Sequence, residues 1–146
     1  MARGIMGLIT RKAPDFPDDV EWVNARTPIT LRGLRGTIVV LYFSPRRRGL
    51  EGMDSAIAAM KKKYGKHPVM AIAVCDSSAD AQPVRGPAVI DGRGKLRKLY
   101  GINDWAAVVI IGVTGMVDYK VSGEITTEQL DGLVGDSLSK SAMAET

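Results

Sequence analysis

Cysteine is almost absent from this sequence. Among 146 residues there is one, Cys75. A single thiol cannot close a disulfide within the chain, and it cannot build a zinc site from several thiolates. Histidine is equally scarce, and no Walker loop, dinucleotide fingerprint or metal-ligand spacing is present. The sequence therefore predicts neither a metal nor a cofactor.

Long hydrophobic runs are also missing. The apolar stretches at 38–43 and 106–113 are far shorter than the ~20 residues that cross a bilayer, and each is typical of a buried strand. The apolar stretch at 4–9 is too short for the core of a signal peptide. We therefore expect a cytoplasmic protein without a membrane partner.

The chain has only a modest excess of positive charge. Its net charge is +4, with 45% hydrophobic and 25% charged residues, which is the composition of an ordinary globular protein. This charge permits weak attraction to anions but lacks the clustering of a dedicated nucleic-acid binder, so we do not expect nucleic acid as a partner. The length fits a single domain over 1–146, with a core at about 13–138 and a flexible tail at 139–146.

The first half of the chain reads as a β-α-β unit. The run at 38–43 is continuously apolar and β-branched at its start, as in a central strand covered on both faces. Apolar residues recur at helical spacing over 49–64, with lysines in the last turn and Gly65 as a C-terminal cap. A second buried strand follows at 69–75, so the two strands should pair in parallel.

The second half predicts a hairpin and a closing helix. A tight turn at 113–115 should join antiparallel strands at 106–111 and 116–121. Thr126 and Gln129 have the spacing of a capping box that begins the last helix. Between the halves, a turn at 91–94 leads into a short helix carrying Leu96, Leu99 and Tyr100, and residues 14–37 suggest an irregular entry with a short edge hairpin. The prediction is an α/β fold with a mixed central sheet flanked by helices.

Several local motifs follow one another over residues 13–137. They are Ala-Pro-Asp-Phe at 13–16, Ile-Thr-Leu-Arg-Gly-Leu-Arg-Gly at 29–36, the strand at 39–43, and Val-Ile-Asp-Gly-Arg-Gly at 89–94 followed by Tyr-Gly-Ile at 100–102. In this order and spacing they resemble the redoxin and peroxiredoxin-like branch of the thioredoxin-like superfamily. The resemblance implies a thioredoxin-like fold, thiol-disulfide or peroxidase chemistry, and a role in cell redox homeostasis.

The chain departs from that family at two functional landmarks. The family's two cysteines, separated by two residues at the start of the first helix, fall on Arg48 and Glu51 when aligned on Phe43. The family's cis-proline falls on Ala106, and a cis bond without proline would cost ~3 kcal/mol, so we expect a trans peptide there. Both departures argue that dithiol exchange has been given up while the fold was kept. Whether the chain is an enzyme is left open by the sequence.

The candidate site surrounds the former position of the cysteines. Three arginines at a helix start, together with free backbone amides, suit a phosphate, a carboxylate or an acidic partner. Alternatively, Glu51 neutralises part of the cluster and the loop is only solvated surface. The predicted anion-binding residues are Arg46, Arg47, Arg48, Gly49 and Glu51. The predicted groove beside them consists of Pro45, Trp105 and Ala106.

Two features outside that site have competing explanations. Cys75, at the end of a predicted strand, is either a reactive thiol or a small core residue, and no confident catalytic residue is assigned. The lysines at 61–63 with Lys66 and His67 are either a nucleic-acid patch or an ordinary helix end. Three hypotheses follow: a binding or regulatory protein for a partner protein or small anion, a single-cysteine peroxidase using Cys75, and a weak nucleic-acid or anion binder.

Overall fold

The protein is built around one mixed β-sheet. The computed structural model describes residues 11–43, 50–76, 86–102, 106–123 and 125–144. The strands are β1 (Arg11–Lys12), β2 (Glu21–Val23), β3 (Ile38–Phe43), β4 (Val69–Cys75), β5 (Ala88–Ile90), β6 (Ala107–Ile111) and β7 (Met116–Ser122). The helices are α1 (Leu50–Lys63), α2 (Lys95–Tyr100) and α3 (Thr127–Ala144), with a 3-10 turn at Arg32–Leu34.

Strand β3 lies at the centre of the sheet. The strand order is β1-β7-β6-β3-β4-β5-β2, with β3 parallel to β4 and antiparallel to β6. Every residue of β3 is buried. A strand that is covered on both faces reads as a continuous apolar run, which is why 38–43 carries no alternation of polar residues.

Helices cover both faces of the sheet. On one face, Ile57 and Met60 of α1 and Leu130 and Val134 of α3 pack against alternate residues of the central strands. On the other, the core is completed by Phe16, Leu31, Leu96 and Tyr100, which come from the entry segment and from around α2. The predicted α/β architecture with a mixed sheet and helical flanks is confirmed.

The last helix begins where the capping box predicted. Thr126 Oγ1 accepts from the Gln129 amide at 3.1 Å, and Gln129 Oε1 accepts from the Thr126 amide at 3.0 Å. The helix then continues to Ala144. Residues 139–144, expected as part of a loose tail, are therefore helical. None of the helices in the described ranges is long and apolar enough to span a bilayer.

Two local predictions are wrong. Residues 14–37 form no edge hairpin in the described chain, because Glu21–Val23 pairs with the distant Ala88–Ile90, in antiparallel fashion. Gly65 lacks the positive φ of a left-handed cap. A Cβ at Gly65 would lie 3.1 Å from the Lys61 carbonyl oxygen, so glycine serves close backbone approach there.

Candidate functional site

The candidate site lies at the carboxyl end of β3. Phe43, the last residue of β3, pairs with Ala107 on β6, so Ala106 sits beside the point where the chain leaves β3. Ala106 is 7% exposed, and its carbonyl accepts from the Gly123 amide at 2.7 Å. Helix α1 starts at Leu50. The described ends of β3 and α1 thus bracket the connection that carries the predicted anion-binding residues.

Most of the predicted site residues belong to segments that the structure does not describe. Pro45, Arg46, Arg47, Arg48, Gly49 and Trp105 lie outside the described residues. Glu51 is placed as the second residue of α1, by its backbone only. The peptide bond before Ala106 involves Trp105, so the prediction of a trans bond stays a prediction.

Cys75 is the last residue of β4, as predicted, and its side chain is sealed in the core. Its exposure is 0%, and it shares an apolar cluster with Ala56, Ile57 and Ala106. Its carbonyl oxygen accepts from the Asp91 amide at 2.7 Å, which ties β4 to the turn before α2. A cysteine in such surroundings behaves as a small apolar residue. The thiol lies on the side of the sheet that α1 covers, away from solvent.

An arginine that the sequence did not single out also lies at this end of the sheet. Arg97 Nη2 is 3.6 Å from Asp76 Oδ1, and the Arg97 guanidinium carbon is 5.8 Å from the centre of the Phe43 ring. The Arg97 side chain is 17% exposed. Arg97 and Tyr100 are three apart and share one face of α2, so helical spacing within the Leu-Arg-Lys-Leu-Tyr stretch was the available signal.

Asp91 fixes where α2 begins. This carboxylate is 4% exposed and accepts from the amides of Leu96 at 3.0 Å and Arg97 at 3.1 Å. Amides at a helix start have no partner within the helix, so the carboxylate satisfies groups that would otherwise be orphaned. Its role is to hold α2, and with it Arg97, against the end of β3.

Lys63 of the lysine run and His67 both make contacts within the fold. Lys63 Nζ donates to Asp131 Oδ2 on α3 at 2.8 Å, and the His67 ring lies edge-on to Tyr64 with centroids 5.8 Å apart. His67 precedes β4 whereas Cys75 ends it, a separation of roughly 20 Å along a strand of that length. The two residues therefore form no Cys-His pair. Across the described ranges, no cluster of three or more His, Cys, Asp or Glu side chains could hold a metal ion.

Comparison of the sequence with known proteins finds a distant relative. No family model matches the chain. The Protein SUPPRESSOR OF QUENCHING 1, chloroplastic, of Arabidopsis thaliana is 24% identical over 139 residues, which cover 86% of this chain and 13% of that protein. The chain thus spans a small part of the relative's length.

Solved structures show the fold directly. A putative thiol:disulfide interchange protein DsbE from Chlorobium tepidum matches with a TM-score of 0.73 and 23% identity, over 88% of this chain and 96% of that one. A thioredoxin-like superfamily protein matches with a TM-score of 0.74 and 18% identity, over 88% and 96%. The mitochondrial 2-cys peroxiredoxin of Plasmodium falciparum matches with a TM-score of 0.73 and 14% identity, over 95% and 99%. The chain has a thioredoxin-like fold.

Proposed function

We propose that this protein is a binding protein and not a dithiol oxidoreductase, and that it holds an anionic group of its ligand at the carboxyl end of β3. The observation that carries the proposal is the placement of the only cysteine. Cys75 is fully buried at the end of β4, whereas the connection at 44–49, between β3 and α1, carries three arginines and no thiol.

Thiol chemistry requires an accessible thiolate, which is the reacting species in both disulfide exchange and peroxide reduction. The Cys75 side chain has no exposed surface and is packed among apolar groups from α1 and the central strands. Exchange within one chain would further require a second cysteine, and these 146 residues contain none. Binding is the class of function that this arrangement favours.

The electrostatics at the start of α1 favour an oxyanion. The dipole of α1, a helix of 14 residues, places partial positive charge at its first residue, Leu50. The arginines at 46–48 come just before Leu50 in the sequence. Guanidinium groups donate paired hydrogen bonds that match carboxylate and phosphate oxygens. The ligand group is therefore a carboxylate or a phosphate, and the two are distinguished by experiment.

The test is an NMR titration of the whole chain with inorganic phosphate and, separately, with acetate. We expect one of the two anions to shift the amide signals of Leu50, Glu51 and Ala107, which flank the connection. The variant Arg46→Gln/Arg47→Gln/Arg48→Gln should lose these shifts. Equal shifts in that variant, or shifts confined to other parts of the molecule, would contradict the proposal.

The matched control removes the same charge elsewhere. Lys61, Lys62 and Lys66 are exposed and lie at and beyond the far end of α1. The variant Lys61→Gln/Lys62→Gln/Lys66→Gln should keep the amide shifts of the unmodified protein. If both triple variants lose them to the same degree, net charge and not a local site is responsible, and the proposal fails.

A further inference from the structure

A second positively charged surface lies at the other end of the sheet. An open groove of about 870 Å³ runs between the entry segment, the 3-10 turn and the β6-β7 turn. Its charged lining residues are Lys12, Asp15, Arg32 and Arg35, which give it two net positive charges. We call this surface the basic groove.

The basic groove is separate from the candidate site. Val39 pairs with Ile111, so the β6-β7 turn that lines the groove lies beside the start of β3. Phe43, at the candidate site, is the other end of that strand, roughly 15 Å away at the usual rise per residue. A ligand in the basic groove therefore does not depend on the arginines at 46–48.

Within the described residues, the cationic side chains of the groove form no ion pairs. The side chains of Lys12, Arg32 and Arg35 take part in none of the ion pairs found there, and all three residues are exposed. The one carboxylate, Asp15, accepts through Oδ1 from the amides of Phe16 and Leu31, both at 2.8 Å. Residues 1–10, which precede the groove in sequence, contain no Asp or Glu.

One guanidinium of the groove lies close to a glycine. A Cβ built on Gly115 would lie 2.8 Å from both Cζ and Nε of Arg35 and 3.1 Å from its Nη2. These similar distances mean that a face of the guanidinium lies against the Gly115 backbone. This contact places the Arg35 guanidinium at the β6-β7 turn, on the wall of the basic groove.

The shape and chemistry of the groove select the ligand. Single pairs between exposed charges contribute little, so a ligand must carry several negative charges. The residues lining the groove include no aromatic side chain on which bases could stack, and stacking is a main source of affinity for single-stranded nucleic acid. We propose that the basic groove binds an acidic peptide segment of a partner protein.

The test uses fluorescein-labelled hexaglutamate as the probe, followed by fluorescence anisotropy at low salt. We expect Arg32→Gln/Arg35→Gln to weaken binding by about tenfold or more, because the ligand loses two charged hydrogen-bond partners. The control Lys61→Gln/Lys62→Gln removes equal charge outside the groove and should stay within about twofold of the unmodified protein. Equal weakening by both variants overturns the proposal.

A second measurement does not depend on any variant folding. In the unmodified protein, hexaglutamate should shift the amide signals of Ala13, Arg35 and Gly115, which line the basic groove. No shift there overturns the proposal, as does an oligothymidylate that occupies these residues more tightly than the peptide. The variant Arg46→Gln/Arg47→Gln/Arg48→Gln should still bind hexaglutamate, which separates this proposal from the function proposed above.

Discussion

Gly112 occupies a position with no room for a side chain. A Cβ there would lie 2.7 Å from Asp118 Oδ2, and that same oxygen accepts a hydrogen bond from the hydroxyl of Ser137 on α3. Ser137 is 1% exposed. A methyl group at position 112 would push the carboxylate away and leave a buried hydroxyl without its acceptor.

Gly112→Ala should therefore lower the free energy of unfolding by about 1–3 kcal/mol, the usual cost of an unsatisfied buried polar group. Urea denaturation measures it. Gly132→Ala is the control, because Gly132 lies in α3 with nothing within 4 Å of its Cβ position, and helix propensity should make that variant more stable. An unchanged midpoint for Gly112→Ala would show that Asp118 moves without cost.

The burial of Cys75 predicts a slow thiol. In the native protein, Ellman's reagent should react with Cys75 far more slowly than after unfolding in guanidinium chloride, because the side chain has no exposed surface. Peroxide consumption should equal background for both the unmodified protein and Cys75→Ser. Rapid native labelling, together with peroxide turnover that Cys75→Ser abolishes, would instead establish the single-cysteine peroxidase hypothesis.

Among the elements, the end of α1 is joined to α3 by polar contacts at Asp131. Asp131 on α3 accepts from Lys63 Nζ at 2.8 Å and from the Tyr64 hydroxyl at 2.6 Å. The hydrogen bond from Lys63, followed by that from Tyr64, lowers the pKa of Asp131 below its ordinary value of 3.8. A carboxylate with a lowered folded-state pKa stabilises the fold above its unfolded-state pKa, and this stabilisation is lost as the pH falls through the folded-state pKa.

Asp131→Asn should thus be less stable than the unmodified protein at pH 7, and the difference should shrink as the pH falls below about 3.8. The measurement is urea denaturation across that pH range. Asp136→Asn serves as control, since the ion pair of Asp136 in the described ranges is a 3.9 Å contact with Lys140 of its own helix. A difference that persists unchanged at low pH would mean that the charge of Asp131 is not what stabilises the contact.

Elements defined by local patterns were predictable, and elements defined by distant pairing were not. The run at 38–43 and the Thr126–Gln129 capping box carry their signals within a few residues, and both hold in the structure. Strand β2 exists because Glu21–Val23 meets Ala88–Ile90, a contact across more than sixty residues that no local pattern encodes.

The candidate site was predictable only in part, for a similar reason. The predicted hairpin places β6 beside β7, whereas the position of Ala106 near the loop after β3 was implied only by the family resemblance. The contact of Arg97 with Asp76 and Phe43 requires the ends of separate strands to be brought together by the sheet. Likewise, the basic groove assembles residues from the entry segment and from the β6-β7 turn, which lie about a hundred residues apart in sequence.

For the whole molecule, the thioredoxin-like fold predicts that dithiol activity can be introduced by two substitutions. Arg48→Cys/Glu51→Cys would introduce one thiol two residues before α1 in the sequence and one at its second residue, and a helix dipole stabilises a nearby thiolate. We expect this variant to reduce insulin disulfides with dithiothreitol as electron source. The unmodified protein, assayed in parallel, should show no catalysis, and reduction of insulin by it would overturn the proposed loss of dithiol chemistry.

The sealed position of Cys75 also affects where such a protein can work. These 146 residues contain a single sulfhydryl, which is buried beneath α1. A change from a reducing to an oxidising medium therefore neither forms nor breaks a disulfide bond within them. The stability of the fold therefore does not depend on whether the surrounding medium is reducing or oxidising. The ligand binding proposed above would therefore not depend on the oxidation or reduction of thiols in neighbouring proteins.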